Sequence, residues 1–517
     1  MWPLTALALL LSCHPASSQY ATLSFDPSAP PLAIVRPSYL SVNLDSGSLF
    51  NSFPFNHTPF NTLVSHLARA APTQFRIGGG ASNSLFFTGA GGADGNCSAL
   101  SLPFAANVCV SAELLDAILA FAQEVGVDLV WNLNGAQRAP ADSPWSAANT
   151  VSLLDHLASA PARGLPVPAA FQLANEPEDW YKISPPLNVS GATLGADFHA
   201  LRALLRARGA LAAAAVYGPC ACCEDRYPLL AALAAPVAGA LDALDVHAYP
   251  LPRLANNSCV PGAFTNRSAM LGVAAAVAQY RALGAPLLAQ GLPLLLGETA
   301  TSAHGGCDGY SNRFVAGFTF MLELGTLGEL GVAQVNRQDI AGFSSQTGPS
   351  NYALLGPPGW HGQAPLGQPH PDYWTALLWK TLVGRRVLAS TLRVAAAGAA
   401  AGAAQQVDAH VWCAAGGRGA AVVTYFAMDV PAGAVLALPP GLAPAPRTEF
   451  VLTAPGGDLQ ADAALLNGAP LAALESGEVP GWPPAGRAVQ GGEIALQPWS
   501  YGFLRLEGVS APACVGA

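Results

Sequence analysis

Two glutamates in this chain are placed to do chemistry together. Glu176 stands in Leu173-Ala-Asn-Glu-Pro177 and Glu298 in Leu294-Leu-Leu-Gly-Glu-Thr299, each directly after a short apolar run. Cleaving a glycosidic bond needs two carboxyl groups flanking the anomeric carbon, one protonated to release the departing oxygen and one ionised. Glu176 is the candidate acid/base and Glu298 the candidate nucleophile. Asn175 is placed to hydrogen-bond a sugar hydroxyl as charge develops. His247 and Tyr249 are placed to orient Glu298 or to close the floor of the site; the alternative for His247 is a histidine that merely packs there.

Such a pair works only if separate elements bring the glutamates together. Eight short apolar, often β-branched runs recur at 39–44, 74–77, 127–133, 170–173, 214–217, 244–246, 293–296 and 331–335. Between them lie helix-length segments, such as 112–124 and 311–327, with apolar residues at helical spacing. Eight β–α repeats predict an α/β fold, a closed (β/α)8 TIM barrel, placed at 36–385. An open doubly wound sheet would want a Gly-rich phosphate loop after its first strand, but here that strand ends in Asn43-Leu44-Asp45. Polar residues gather at the strand ends: Asp45, Arg76, Asn132, Asn134, Asn175, Glu176, His247, Tyr249, Glu298, Arg337 and Gln338. In a barrel these positions all reach the C-terminal mouth, where active sites are built. Glu176 and Glu298 fall on strands 4 and 7, which predicts carboxyl groups about 5–5.5 Å apart, the spacing of a retaining enzyme.

From about residue 386 the pattern changes. Short apolar runs at 420–426, 434–438 and 501–506 alternate with Gly/Pro turns. They predict a C-terminal all-β sandwich domain over 386–517, with a strand added from 19–35. Cys413 near its start and Cys514 near its end are natural disulfide partners.

The N-terminus is a short apolar run followed by small residues, which predicts a secretory signal peptide over 1–18. No later stretch is long and apolar enough for a membrane span. Sequons at Asn56, Asn96, Asn188, Asn256 and Asn266 predict glycosylation in a secretory pathway. The expected location is secreted or extracellular, such as a cell wall, with a lysosome or vacuole as the alternative. Of 10 cysteines, Cys13 leaves with the signal, so an odd number remains in an oxidising compartment and at least one stays unpaired within the chain. Cys97 and Cys109 could close a small loop. Cys220, Cys222 and Cys223 are too crowded to pair among themselves, and their spacing fits no common zinc site, so no metal and no cofactor is expected. A formal charge of −9, with only 11% charged residues, argues against nucleic acid as a partner.

An ordered set of motifs resembles the heparanase family, glycoside hydrolase family 79. They are Ser38-Tyr-Leu-Ser-Val-Asn-Leu-Asp45, Phe75-Arg-Ile-Gly-Gly79, Leu173-Ala-Asn-Glu-Pro177, Leu296-Gly-Glu-Thr299 with Gly305-Gly306, Arg337-Gln338, Ser350-Asn-Tyr352, Pro371-Asp-Tyr-Trp374 and Leu382-Val-Gly384. The resemblance implies a barrel with a β-sandwich and hydrolysis of β-linked glucuronic acid with net retention. It implies Glu176 as acid/base and Glu298 as nucleophile, and a disulfide between Cys413 and Cys514. It also implies that Asp45, Gln338, Tyr352 and the Gly305-Gly306 backbone hold the sugar, the glycines and tyrosine cradling a uronate carboxylate.

The sequence departs from the family in its cations. The family surrounds its cleft with Lys and Arg suited to sulfated chains, but Leu102-Pro-Phe-Ala-Ala-Asn-Val108 holds none. Cys220-Ala-Cys-Cys-Glu-Asp-Arg226 holds one Arg beside two acids, and only Arg253 matches a family cation. The long basic insert that heparanase removes during maturation is also missing, which predicts a single-chain enzyme. A Gly/Pro-rich loop with Trp360 and His361 could wall off one end of the cleft. The expected partner is therefore a weakly charged glycan or proteoglycan containing glucuronic acid, cut from its end. The alternatives are heparanase-like internal cleavage, a neutral-sugar glycosidase of the same clan, and a catalytically silent carbohydrate-binding homologue.

Overall fold

The computed structural model describes residues 19–51, 53–92, 95–96, 107–139, 142–182, 187–222, 229–341, 343–344, 348–356, 367–395, 406–430, 433–491 and 493–515. The signal-peptide reading at 1–18 lies outside them, as do Cys97, Cys223, Trp360 and His361.

Eight strands close into a parallel barrel: β1 (Leu40–Asp45), β2 (Gln74–Gly78), β3 (Asp128–Leu133), β4 (Ala170–Leu173), β5 (Ala215–Ala221), β6 (Ala243–His247), β7 (Leu294–Thr299) and β8 (Gln334–Arg337). Each pairs in parallel with the strand before it, and β8 closes on β1. Both faces of such a sheet are covered, by side chains inside and helices outside, so its strands read as apolar runs without alternation. Every residue of β7 is buried.

β8 lies three residues later than the apolar run suggested, and the reason is a helix end. Gly331 takes φ 69 after the helix Ala316–Glu329. Val332 then donates its N–H back to the Leu327 carbonyl and is fully buried there. The valine is therefore the apolar contact of a helix cap rather than the start of a strand. β7 runs further than its apolar core, so Glu298 lies within the strand rather than after it.

The barrel leans on a β-sandwich through that same helix. At Gly317, Gly325 and Gly328 an added Cβ would lie 2.2, 2.1 and 2.2 Å from Tyr501, His410 and Trp412 of the sandwich. Small residues on one helix face thus let sandwich side chains press directly on its backbone. One sandwich sheet holds four strands in the order Ser390–Ala395, Gln19–Phe25, Ala434–Ala437, Ile494–Leu496. The other is built around Val407–Ala414, Ala421–Ala427, Ser500–Leu506 and Arg447–Thr453, and its strand Val383–Leu388 follows the last barrel helix, Pro371–Leu382, without a break. The two sheets enclose a second apolar core that includes Leu23, Val411, Val423 and Leu504. A disulfide joins Cys413 to Cys514 at its edge.

Candidate active site

The C-terminal ends of the strands converge on one buried cation. Arg76 of β2 is 0% exposed and spends three nitrogens on three partners. Nη1 donates to Glu298 Oε2 at 2.8 Å, Nη2 to Asn175 Oδ1 at 2.8 Å, and Nε to Gln172 Oε1 at 2.7 Å. Gln172 in turn donates to Asp245 of β6. A planar guanidinium with fixed donors therefore sets strands β2, β4, β6 and β7 in register with one another.

Glu298 has both oxygens occupied, since the Tyr249 hydroxyl donates to Oε1 at 2.6 Å. Burial works against its charge, yet His247, Arg76 and the Tyr249 hydroxyl together hold its carboxyl below the usual range. Glu176 is more open, with its side chain 26% exposed against 8% for Glu298. His247 Nδ1 lies 2.9 Å from Glu176 Oε1 and 3.8 Å from Glu298 Oε2, so one ring nitrogen bridges the two carboxyl groups. Burial depresses the charged imidazole, but the Glu298 charge and the hydrogen bond with Glu176 outweigh it and hold His247 above its ordinary value. One oxygen of Glu176, one of Glu298 and a ring nitrogen of His247 all lie within 4.8 Å of one another.

The turn carrying Glu176 is strained and clamped. Ala174 and Glu176 take φ 74 and 49, the left-handed region that costs a non-glycine residue on the order of 1–3 kcal/mol. Asn83 receives the Asn175 N–H at 3.0 Å and donates to the Asn175 carbonyl at 2.8 Å, and Trp180 Nε1 donates to that carbonyl at 3.1 Å. The Glu176 N–H is bonded to the Cys220 carbonyl on β5.

The remaining candidates line the other side. Gln338 donates to Asp45 Oδ2 at 3.2 Å, and the Gly47 N–H donates to Oδ1 at 2.7 Å. Burial pushes the Asp45 carboxyl up to about 7. Tyr352 stacks on Tyr249 with ring centroids 6.2 Å apart. Gly305 and Gly306 take φ 79 and 74, and a Cβ on Gly306 would lie 3.0 Å from the Tyr352 ring. Asn351 ties the two segments, its N–H donating to the Gly305 carbonyl at 2.7 Å. All ten candidate catalytic and sugar-binding positions thus belong to one connected mouth.

These contacts stand beside a set of similarities. No family model matches the chain. It is 31% identical to mouse (Mus musculus) heparanase over 294 residues, 56% of this chain and 49% of that protein. It is 26% identical to mouse inactive heparanase-2 over 287 residues, 55% of this chain and 44% of that protein. It is 28% identical to a baicalin-β-D-glucuronidase of Scutellaria baicalensis over 213 residues, 41% of this chain and 36% of that protein. The chain is similar to the heparanases over about half of its own length. It spans about half the length of the curated relatives it matches. Its fold is that of glycoside hydrolases: a 4-O-α-L-rhamnosyl-β-D-glucuronidase from Fusarium oxysporum 12S superposes with a TM-score of 0.63 at 14% identity, over 94% of this chain and 100% of that one.

Two features of the site are contacts between distant residues that no local sequence pattern records. Arg76 was visible as a polar strand end, but its role as the clamp on Glu298 and Asn175 was not. Arg253, expected from the sequence to face the cleft as a cation, also has a structural task. Its guanidinium donates to the carbonyls of Asn257, Ala303 and Gly306, which fixes the loop that holds the glycine pair. A disulfide between Cys259 and Cys307 pins the same loop. The remaining expected cation-poor stretches fall mostly outside the described residues.

Glu176, His247 and Glu298 are close enough together to hold a metal ion, but Arg76 and Tyr249 already occupy both oxygens of Glu298. A second grouping, Glu176, Asp179 and Cys222, offers no thiolate because Cys222 is disulfide-bonded. Cys220 is the free, buried cysteine among the described residues.

Proposed function

We propose that the chain is a retaining glycoside hydrolase that cleaves β-linked glucuronic acid from a glycan. The observation that carries this reading is the closeness of the Glu176 and Glu298 oxygens, within 4.8 Å, about a bridging histidine. That separation is shorter than the roughly 6.5–9.5 Å of an inverting pair, which must admit a water beside the sugar, and suits direct attack by one carboxylate. Glu298, held ionised by Arg76 and Tyr249, attacks the anomeric carbon while Glu176 protonates the departing oxygen. A covalent glycosyl–enzyme forms. Glu176, now the base, takes a proton from water, which attacks the same carbon and releases the sugar with its configuration retained.

The surrounding groups divide the sugar among them. Asn175 has its Oδ1 committed to Arg76, so its remaining donor, Nδ2, is the group suited to a sugar hydroxyl oxygen. Asp45 and Gln338 take hydroxyls on the opposite side. The Tyr352 hydroxyl and the Gly305-Gly306 backbone receive the uronate carboxylate, close approach being possible where no side chain intervenes. A weakly charged substrate is part of the proposal, supported by the absence of Lys and Arg from residues 102–108. Release from the chain end rather than internal cleavage is part of the same proposal.

Passage through a secretory compartment is proposed on consistent grounds. Asn56, Asn188, Asn256 and Asn266 are exposed, and two disulfides join cysteines distant in sequence. No helix among the described residues is long and apolar enough to cross a membrane.

The test is hydrolysis of a panel of aryl β-glycosides by wild type and Glu298→Ala. Turnover of the glucuronide that disappears in the variant, with retained configuration by NMR, is expected. Equal turnover of xylosides or galactosides would move the reading to a neutral-sugar enzyme. Glycan binding without turnover of any member would make it a silent homologue.

A further inference from the structure

Asp339 follows Gln338 at the end of β8 and is 0% exposed. The Ser350 hydroxyl donates to its Oδ1 at 2.8 Å, and the Leu354 N–H donates to its carbonyl at 2.9 Å. These two anchors bracket Tyr352. Between them, Asn351 reaches across to the Gly305 carbonyl. A single residue thus holds both ends of the segment that joins Tyr352 to the glycine pair.

The other carboxyl oxygen of Asp339, Oδ2, is buried with no hydrogen-bonding partner among the described residues. The groups facing it make ionisation costly. Asp45 from β1, Glu298 from β7 and Tyr352 from the anchored segment supply no positive charge. Arg337 from β8 is the facing cation, and its Nη2 is bonded to Asp372 at 2.7 Å. Burial, above all, pushes the Asp339 carboxyl up to about 8, with Asp45 and Glu298 adding to it against Ser350 and Arg337.

We propose that Asp339, as the neutral acid, is a positioning residue for the uronate end of the site: it pins residues 350–354 so that Tyr352 and Gly305-Gly306 form the carboxylate cradle, and ionising it sets a negative charge behind that cradle. The proposal rests on the β-glucuronide reading. It makes uronate affinity, and not affinity for neutral sugars, depend on a proton held one layer behind the ligand.

The experiment measures the inhibition constant of free glucuronate from pH 5 to 9.5 for wild type and Asp339→Asn, with glucose as the neutral comparison. Taking the ratio of the wild-type constant to that of the variant cancels groups common to both, Asp45 included. That ratio is expected to be constant at acid pH and to rise above about 8, by up to about tenfold per pH unit. With glucose it stays flat. Ser350→Ala, which keeps the carboxyl but removes its anchor, is expected to weaken glucuronate several-fold at all pH values while kcat changes less. A flat glucuronate ratio, a parallel rise with glucose, or an unchanged glucuronate constant in Ser350→Ala overturns the assignment. Should Asp339→Asn not fold, Ser350→Ala alone decides. Wild type that hydrolyses no glucuronide sinks the functional reading itself, and this proposal with it, which separates the two failures.

Discussion

Replacing Arg76 with Met removes the charge on which the site is organised and keeps most of its volume. The pair with Glu298 is buried on both sides, with side chains 0% and 8% exposed. Breaking such a pair by removing one partner costs about 3–5 kcal/mol, because the other charge is left uncompensated. At about 2.1 cal/mol/K per residue, a chain of 517 residues has an unfolding entropy near 1 kcal/mol/K. The midpoint at pH 7 should therefore fall by about 3–5 °C. The sign of the pH dependence follows from Glu298, whose carboxyl is held below its ordinary 4.5 in the fold. A depressed carboxyl contributes stability that is present above its unfolded value and lost as pH falls through its folded value. The gap between wild type and Arg76→Met should accordingly be largest near neutrality and shrink below about pH 4.5. In the glucuronide assay the acid limb of kcat/KM should move up by well over one unit, since each unit corresponds to about 1.4 kcal/mol. Differential scanning calorimetry and a pH–rate series read both effects. A variant with the wild-type midpoint at pH 7 and an unmoved acid limb would refute the idea that Arg76 holds the nucleophile ionised.

Gly306→Ala places a Cβ 3.0 Å from both the Tyr352 ring and Ser311 at a φ of 74, so KM for the glucuronide should rise at least tenfold with a smaller change in kcat, read by steady-state kinetics. The two disulfides should separate function from stability. Cys259–Cys307 and Cys413–Cys514 span 48 and 101 residues, which in the chain-entropy model is about 4 and about 4.7 kcal/mol. Cys307→Ser should lower the midpoint and also raise KM, because its loop carries the glycine pair, whereas Cys514→Ser should lower the midpoint and leave KM alone. Burial raises Asp45, Glu323 and Asp339 to about 7, 7 and 8, so these groups hold protons in the fold that the unfolded chain has released. Their contribution to stability is present below their unfolded values near 4 and is lost as pH rises toward 8. Glu323→Gln should flatten that decline in urea titrations run between pH 5 and 8, and an unchanged slope would rule Glu323 out as a contributor.

The barrel, and the strands that bear the two glutamates, can be read from the chain alone. These were legible because parallel strands buried on both faces leave apolar runs, and because the polar residue ending each run has only the mouth to occupy. Where an apolar residue served a helix end instead, as Val332 does, the same signal misplaced β8. What lies between the glutamates is set by contacts that exist only in the folded chain. Arg76 reaches Glu298, Asn175 and Gln172 across the barrel, and His247 bridges both carboxyls, contacts between strands far apart in the chain that no local pattern records. The same holds for Arg253, whose guanidinium ties down the loop of the glycine pair through backbone carbonyls, and for Asp339, an acid beside Gln338 that becomes an anchor only once residues 350–354 fold over it. A carboxyl's chemistry is set by burial and by the charges around it, and both come into being only when the chain closes.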